Sequence, residues 1–393
     1  GSENPVVPRK NYDDINPRFA KYFAKYMDEI GSLYWTKEVF DNSYPGYGST
    51  YPDIHGGLGL VFETASSRGH VQSSQRGDIT FAFTIRNHVV NSLATMEAAL
   101  DNRVYMHDYL REFFESAVAE GAKDPAKNYV FGDEFDESRN RLFVQFLFDH
   151  KIKVYENSAD LSVAGQSFKK GKSWVVPTNQ PQYRMVRTMF EYVKEFADSV
   201  FYDASAWTMA AAYGMPFAAA PSAKAGSQVS EVKAPTFDFP EGKAYAYLID
   251  WSDYYAPKML FELQKAGIHV ESVHRAFSSQ TQDGKVDFPA GTLMIPMGFQ
   301  KINAEEVSAK IKELAGKNTQ KVYAVQTGLN LRGVDLGSNL VSTVQHPKAL
   351  MMVGTGVNAN EAGEIWNLLD QHFGMPITKV NMEQFGRVNL HNY

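Results

Sequence analysis

Residues 57–70 read Gly57-Leu58-Gly59-Leu60-Val61-Phe62-Glu63-Thr64-Ala65-Ser66-Ser67-Arg68-Gly69-His70, an apolar run that ends in a carboxylate. Gly56-Gly57 precedes the run and a polar loop follows it, so residues 58–62 are predicted to form a short buried strand. Open α/β sheets bind their ligands beyond the carboxyl ends of their strands, which is where Glu63 would lie. A helix N-cap or a salt-bridged glutamate explains the same residue, so spacing alone leaves a functional and a structural role open.

Three neighbouring stretches carry a family resemblance. They are Gly31-Ser32-Leu33-Tyr34, residues 41–53 (Asp-Asn-Ser-Tyr-Pro-Gly-Tyr-Gly-Ser-Thr-Tyr-Pro-Asp) and residues 60–70. Together they resemble the C-terminal part of a zinc metallocarboxypeptidase domain of the carboxypeptidase A type, in the large bacterial branch where an amidotransferase-like region follows the peptidase domain. Residues 79–100 resemble the last helix of that domain. The resemblance implies a carboxypeptidase-like α/β/α fold, of which residues 1–120 would be the C-terminal part.

The resemblance also implies roles for individual residues. In that family a glutamate at this position is the general base for zinc-bound water, because the metal acidifies the water and the carboxylate takes its proton. Glu63 is therefore expected to be catalytic. Tyr44, in the pattern Tyr-x-x-x-Gly-Ser, matches a mobile tyrosine that contacts substrate, with Tyr47 as the alternative if the register shifts. Asp53 lies near the specificity-pocket segment and is expected to bind substrate, although Pro52 departs from the simple pattern.

The zinc ligands of the family have no counterpart here. The family uses an H-x-x-E pair and a later histidine, and none of the ten histidines begins H-x-x-E or H-E-x-x-H. In the family these ligands lie upstream, so we expect a chain truncated at both ends, with Gly1-Ser2 as an expression scar. His55, His70 and His88 are near Glu63 in sequence, but lone histidines are usually structural, and we expect none to replace a ligand.

The truncation has two expected consequences. This chain alone should bind no catalytic zinc and hydrolyse no peptide, because a base without metal-bound water has nothing to activate. The strand at residues 58–62 should also lack its sheet neighbours. The first hundred residues are therefore expected to pair with another copy or to pack poorly.

Composition bounds the remaining possibilities. The chain of 393 residues is 44% apolar and 21% charged with a net charge of −6, which gives no support for nucleic-acid binding. No apolar run approaches about 18 residues, so no membrane span is predicted. No signal peptide is visible, and the family implies a secreted or periplasmic location. An aromatic content of 13% suits large cores and contacts with peptide or peptidoglycan-like substrates alike, and the oligomeric state stays open.

The chain then repeats a pattern of strand, helix, strand and later strand. The motif Phe-x-x-Gly recurs at Phe168/Gly171 and at Phe288/Gly291. Such an order is typical of crossovers in a parallel sheet, so residues 128–215 and 240–340 are predicted to superpose as two parallel-sheet units. The first copy has predicted strands at 128–131, 151–155 and 168–177 and helices at 139–149 and 182–197; the second has strands at 244–249, 267–271 and 288–296 and helices at 256–266 and 304–315.

A third copy is predicted to start near the C-terminus and to stop before its returning strand. It has a strand at 348–353, a helix at 362–373 and a strand at 377–380. Residues 218–240 are rich in Ala, Ser, Gly and Pro and are predicted to be a flexible linker. The expected domains are therefore 121–239, with the first copy and the linker, and 240–393, with the second copy and the incomplete third.

These copies resemble class I glutamine amidotransferase-like units, which implies Rossmann- or flavodoxin-like parallel sheets. Glutaminase chemistry needs a nucleophilic cysteine, and the chain has no cysteine, so that activity is excluded. Gly354-Thr355-Gly356 begins like a phosphate-binding loop, but Ala359 stands where G-x-G-x-x-G has its third glycine. A tight turn leading into a helix N-cap is the favoured interpretation of residues 354–361.

Two functions of different classes are compatible with these patterns. The first is part of a zinc-dependent metallocarboxypeptidase in which Glu63 is the base and Tyr44 contacts the substrate. The second is a non-catalytic module whose amidotransferase-like units bind peptide, glycan or a partner protein. We favour the first for the parent protein, and the second for what this chain does alone.

Overall fold

The computed structural model describes residues 3–36, 42–194 and 207–393. The chain divides into two compact units, one of Gly1–Glu134 with Leu142–Val232 and one of Phe135–Arg141 with Lys233–Tyr393. Gly1-Ser2, Asp41 of the family-like stretch and the last three residues of the helix predicted at 182–197 lie outside the described residues. In the part that is described, no helix is both long enough and apolar enough to cross a membrane.

The N-terminal part of the first unit is helical. A π-helix at Asn11–Ile15 leads into α1 (Asn16–Glu29), which runs antiparallel to α3 (Phe81–Asp101), with Lys25 bonded to Glu97. Lys10, just before the π-helix, bonds to Glu112 on α4 (Arg103–Gly121). Ile15, Phe19, Ala98, Tyr109 and Phe113 form the core between these helices. The helix predicted over residues 79–100 is α3, which begins where Thr80 caps the N–H of Phe83. The elements are α1 (Asn16–Glu29), α2 (Thr50–Asp53), β1 (Val71–Ser74), β2 (Gly77–Thr80), α3 (Phe81–Asp101) and α4 (Arg103–Gly121).

The strand predicted at residues 58–62 does not form. The segment is extended, but no described strand lies beside it to complete a ladder. Leu58 and Leu60 instead pack against the helical core. Gly59 approaches the backbone of Ser49 so closely that a side chain at position 59 would overlap the Ser49 carbonyl. Packing on helices thus replaces pairing with strands in holding this segment.

The rest of the first unit is an antiparallel five-stranded sheet with helices against it. The strand order is β8 (Phe217–Ala219), β3 (Asn128–Phe131), β7 (Trp174–Pro177), β4 (Val154–Asn157) and β9 (Ala225–Val229), and all four pairings are antiparallel. Phe131, Phe143, Val154 and Met189 belong to the apolar core of this region. The elements are β3 (Asn128–Phe131), α5 (Glu137–Asp149, of which residues 142–149 belong to this unit), β4 (Val154–Asn157), β5 (Leu161–Val163), β6 (Gln166–Phe168), β7 (Trp174–Pro177), α6 (Tyr183–Phe190), α7 (Met209–Ala212), β8 (Phe217–Ala219) and β9 (Ala225–Val229).

The second unit contains a sheet of the same design. Its strand order is β15 (Tyr323–Val325), β10 (Ala246–Ile249), β14 (Thr292–Pro296), β11 (Glu271–Val273) and β16 (Val341–Thr343), again with four antiparallel pairings. Tyr247, Met259, Ile295 and Ile311 lie in the core that joins this sheet to α8 and α9. The elements are β10 (Ala246–Ile249), α8 (Ala256–Lys265), β11 (Glu271–Val273), β12 (Phe277–Thr281), β13 (Gly284–Phe288), β14 (Thr292–Pro296), α9 (Ala304–Asn318), β15 (Tyr323–Val325) and β16 (Val341–Thr343).

The two sheets therefore repeat one topology, but the predicted parallel arrangement is wrong. In each copy the helix crossover leaves the first two strands pointing the same way, as predicted. A hairpin, β5–β6 or β12–β13, then turns the chain so that the next strand inserts between them and runs antiparallel to both. Phe168 and Phe288 are the buried last residues of these hairpins, and Gly171 and Gly291 follow with φ of 78° and 94°. The recurring motif marks equivalent turns.

The third copy has the predicted order and is parallel. β17 (Ala349–Val353) pairs in parallel with β18 (Ile377–Asn381), and α10 (Ala359–Trp366) with a π-helix at Asn367–His372 connects them. The flexible linker predicted at 218–240 is wrong in part, because β8 ends and the whole of β9 forms inside it. Small and polar residues there occupy sheet edges rather than a free connection.

Candidate functional site

Asp53 is the centre of a buried polar network in the first unit. Its carboxylate accepts hydrogen bonds from the Gly59 N–H at 2.8 Å, the Asn42 amide at 2.7 Å and the Asn11 amide at 3.2 Å. The Thr50 hydroxyl donates to the Asn42 side-chain oxygen at 2.9 Å, which fixes the orientation of that amide. One carboxylate thereby joins the N-terminal π-helix, the segment at residue 42 and the start of the extended segment that carries Glu63.

Burial dominates the electrostatics of this network. It raises the pKa of Asp53 to about 6, against the opposing effect of the hydrogen bonds from Gly59, Asn42 and Asn11. Burial also raises the pKa of Tyr12, and the charge of Asp53 adds to that shift. Asp53 is 0% exposed, so the carboxylate predicted to bind substrate faces the interior of this unit. In the structure Asp53 holds three backbone segments together.

Glu63 lies on the outward side of an extended segment, not at the carboxyl end of a strand as predicted. Exposure alternates along residues 60–65: Leu60 and Phe62 are half-buried, whereas Val61 and Glu63 are exposed. The Phe62 ring packs edge-on against Phe23 with 4.8 Å between centroids. Among the described residues, none forms a backbone hydrogen bond with residues 60–65. The segment has the alternation of a strand, with one face packed and both edges open.

Tyr44 is half-buried next to the other predicted substrate contact, Tyr47. The two rings meet edge to face with centroids 5.2 Å apart, and the Tyr47 N–H donates to the Tyr44 carbonyl at 3.1 Å. Gly46 lies under the Tyr44 ring, where any side chain would overlap the ring. The Tyr44 hydroxyl has no hydrogen-bond partner within the described ranges. Tyr44 is thus held by its ring and leaves its hydroxyl available.

The histidines near Glu63 do not converge. His55 Nδ1 lies 2.8 Å from the Tyr51 carbonyl, and burial lowers the pKa of His55. His70 packs on Phe81, and His88 is exposed on α3. Across residues 3–36, 42–194 and 207–393, no group of three His, Cys, Asp or Glu side chains is arranged to hold a metal ion. The described residues therefore do not fit zinc.

One aromatic and histidine cluster was not predicted from the sequence. The centroids of the His55 and His150 rings are 6.3 Å apart with an angle of 30° between the ring planes, and Tyr51 packs against both rings. The charge of His150 adds to the lowering of the His55 pKa. Ninety-five positions separate the two histidines, so no local sequence pattern could have indicated their proximity.

The second unit has a polar surface groove that the sequence also did not indicate. It lies along α10 and the π-helix that follows, with Tyr254 on its other side. Such π-helical turns shift side chains out of the ordinary helical register and are frequent at functional sites. The polar and aromatic residues lining it are Tyr254, Asn360, Glu364, Asn367 and His372. The groove can offer amide, carboxylate and imidazole groups to a ligand.

The glycine-containing loop before this groove is a helix start, as predicted. The Asn358 side chain accepts the N–H groups of Asn360 and Glu361 and so caps α10. Gly354 has φ of 91°, and a side chain there would meet Asn381. The close packing serves the turn between β17 and α10.

Comparisons with protein-family models, with curated proteins and with solved structures found no match to this chain. The functional assignment therefore rests on the residues and their geometry.

Proposed function

We propose that this chain is part of a peptide-bond hydrolase of the zinc metallocarboxypeptidase type, in which Glu63 accepts a proton during hydrolysis. The observation that carries the proposal is the placement of Glu63. Leu60 and Phe62 anchor the extended segment on the helical core, and the alternation turns the Glu63 carboxylate outward. A general base has to reach its proton at hydrogen-bond distance, and an outward carboxylate on an anchored segment can do so.

The hydrogen-bond network of Asp53 holds the start of the segment that carries Glu63. Asp53 binds the Gly59 N–H, four residues before Glu63, and Gly59 in turn lies against the Ser49 backbone. In this proposal Asp53 positions the segment and does not touch the substrate. Tyr44, with its ring held by Tyr47 and Gly46 and its hydroxyl available, is the substrate contact.

No three His, Cys, Asp or Glu side chains of the described residues are arranged to hold zinc, so these residues do not form the metal site of such a hydrolase. A hydrolase of this type would need its metal ligands from residues other than those described. The proposal includes a secreted or periplasmic location and a peptide or peptidoglycan-like substrate.

The test is peptide hydrolysis with added zinc by the natural protein and by two variants of it. Glu63→Gln keeps the shape of the side chain but removes the base, and we expect activity to fall by roughly 10²–10⁴. Glu115→Gln changes an equally exposed carboxylate on α4 and should leave activity unchanged. Full activity of the Glu63→Gln variant would remove Glu63 from the mechanism.

A non-catalytic binding module is the second candidate, and the groove along α10 favours it. Its amide, carboxylate and aromatic side chains are of the kind that bind glycans and peptides. Zinc-independent binding of peptidoglycan fragments, abolished by Asn360→Ala with Asn367→Ala and unchanged by Glu63→Gln, would support this function. Loss of binding on zinc removal would contradict it.

A further inference from the structure

Helix α3 buries polar side chains and exposes large apolar ones, the reverse of the usual distribution. The side chains that it buries against its neighbours include the polar Asn87 and Asn91, which bond to Ser32 and to the Met27 sulfur. Its large apolar side chains point outward instead, and Val89, Leu93 and Met96 are 52%, 50% and 68% exposed. Scattered exposed apolar residues are ordinary, but a continuous row of them marks an interaction surface.

The exposed residues form one stripe, which we call the α3 stripe. It consists of Ile85, Val89, Leu93, Met96 and Leu100 on α3, and it continues at Val104 at the start of α4; all six are exposed. The stripe extends for about 28 Å at 1.5 Å per residue. Steps of three and four residues keep its five α3 members on one side of that helix. Val104 follows across Asn102, whose N–H still donates to the Ala98 carbonyl.

The spacing of the stripe is the same from both ends. The intervals from residue 85 to residue 104 are four, four, three, four and four. When a second copy of the helix is laid antiparallel, residue 85 faces 104, residue 89 faces 100 and residue 93 faces 96. Every stripe residue then meets another stripe residue, which is what a two-fold interface requires.

The charges beside the stripe fit the same arrangement. Arg86 and Asp101 are both exposed and lie on the same side of the stripe near its opposite ends. In the antiparallel pair, Arg86 of each copy lies next to Asp101 of the other, so two opposite-charge contacts form. His88 and Arg103 are exposed on the other side of the stripe. There His88 of each copy faces Arg103 of the other, so this side does not bring two arginines together.

We propose that this chain forms a two-fold dimer through the α3 stripe, with α3 of one copy antiparallel to α3 of the other. The dimer buries the outward apolar side chains, which explains why the helix carries them there. The inference is independent of the function of Glu63.

Light scattering coupled to size exclusion tests the proposal on the 393-residue chain. We expect a dimer for the wild type, and for Val89→Lys with Leu93→Glu a monomer with an unchanged circular dichroism spectrum and a dimer Kd raised about 100-fold or more. Leu329→Glu places the same charge at a 70% exposed leucine outside the helix and should leave the dimer intact. A monomeric wild type, or a dimer that survives both stripe substitutions, would overturn the proposal.

Cysteine cross-linking fixes the register, because the chain has no cysteine of its own. A mixture of Leu93→Cys chains and Met96→Cys chains should give a mixed disulfide dimer under mild oxidation. Leu329→Cys, treated in the same way, should run as a monomer on a non-reducing SDS gel. Failure of the mixture to cross-link faster than Leu329→Cys would rule out the antiparallel register. Binding of a monomeric wild-type chain to phosphatidylcholine vesicles would show that the stripe meets lipid instead and would also overturn the dimer.

Discussion

Asp136 and Asp253 each accept a backbone hydrogen bond from a residue close in sequence to the other, within the second unit. The Asp136 carboxylate accepts the Tyr254 N–H at 3.0 Å, and the Asp253 carboxylate accepts the Ser138 N–H at 3.1 Å. Each also accepts an N–H of its own turn, from Arg139 and Tyr255 respectively, both at 2.9 Å. Asp136 lies in the connection between β3 and α5, and Asp253 lies in the connection between β10 and α8. Each carboxylate thus holds its own turn and the backbone next to the other aspartate.

Removing either carboxylate should destabilise the second unit. Asp136→Ala leaves the N–H groups of Arg139 and Tyr254 without their acceptor, and loss of a cap of this kind costs about 1–2 kcal/mol. Urea unfolding followed by circular dichroism measures the change. Asp238→Ala, at an exposed aspartate outside any helix or strand, is the control and should stay within about 0.5 kcal/mol of wild type. Equal stability of the two variants would show that the hydrogen bonds to the Asp136 carboxylate contribute nothing to the free energy of unfolding.

Asp53 should make the first unit less stable as pH rises from about 4 to about 6. Its pKa is raised to about 6 in the folded state from an ordinary 3.8, so the folded chain holds the proton longer than the unfolded chain. Stability from this group is complete below pH 4 and is lost as pH rises through 6, by up to about 3 kcal/mol.

Urea unfolding between pH 4 and pH 7 checks this titration. Asp53→Asn cannot titrate, so its pH dependence across that window should be flatter than that of the wild type. The variant should also be less stable at pH 4, because its amide group faces the Asn42 donor. A wild type whose stability increases steadily from pH 4 to pH 6 would contradict the direction of the shift.

Gly59 should tolerate no side chain. A Cβ at this position overlaps the Ser49 carbonyl, and backbone cannot move aside as the end of a flexible side chain does. Gly59→Ala should therefore cost about 2–3 kcal/mol and release the segment that carries Glu63. Gly48→Ala is a matched control in the neighbouring loop, where the added methyl group meets nothing within 4 Å. Thermal unfolding compares the two, and similar melting temperatures would contradict the close approach.

The purified chain should hold no stoichiometric zinc. No three candidate ligands gather within the described residues, and two ligands or fewer bind zinc too weakly to survive dialysis. Metal analysis after dialysis against zinc-free buffer is the measurement. One zinc per chain that disappears in His55→Ala would show that the His55 and His150 cluster is a metal site.

Some features of the structure could be predicted from the sequence, and others could not. The family resemblance predicted a helix over residues 79–100, which is α3. Local patterns predicted the first strand and helix of each repeat and the cap at Asn358, because each depends on side chains close together in sequence. The equivalence of Phe168 and Phe288 was also visible as a spaced motif. The surroundings of Asp53 could not be predicted: it was expected to bind substrate, and in the structure it is buried and accepts hydrogen bonds from Asn11 and Asn42.

What the sequence alone determined is the order of the first strand, the helix and the second strand of each copy and the repetition of that order, since periodicity and turn residues act over a few positions. Only the tertiary structure decided the direction of the sheets. Each crossover makes the first two strands parallel, but whether the next strand lies beside them or between them depends on contacts among residues far apart, such as Val175 opposite both Val130 and Tyr155. For the same reason the segment before Glu63 packs on helices instead of joining a sheet. Its alternating pattern favours a strand, but a strand needs a neighbour, and none of the described residues supplies one.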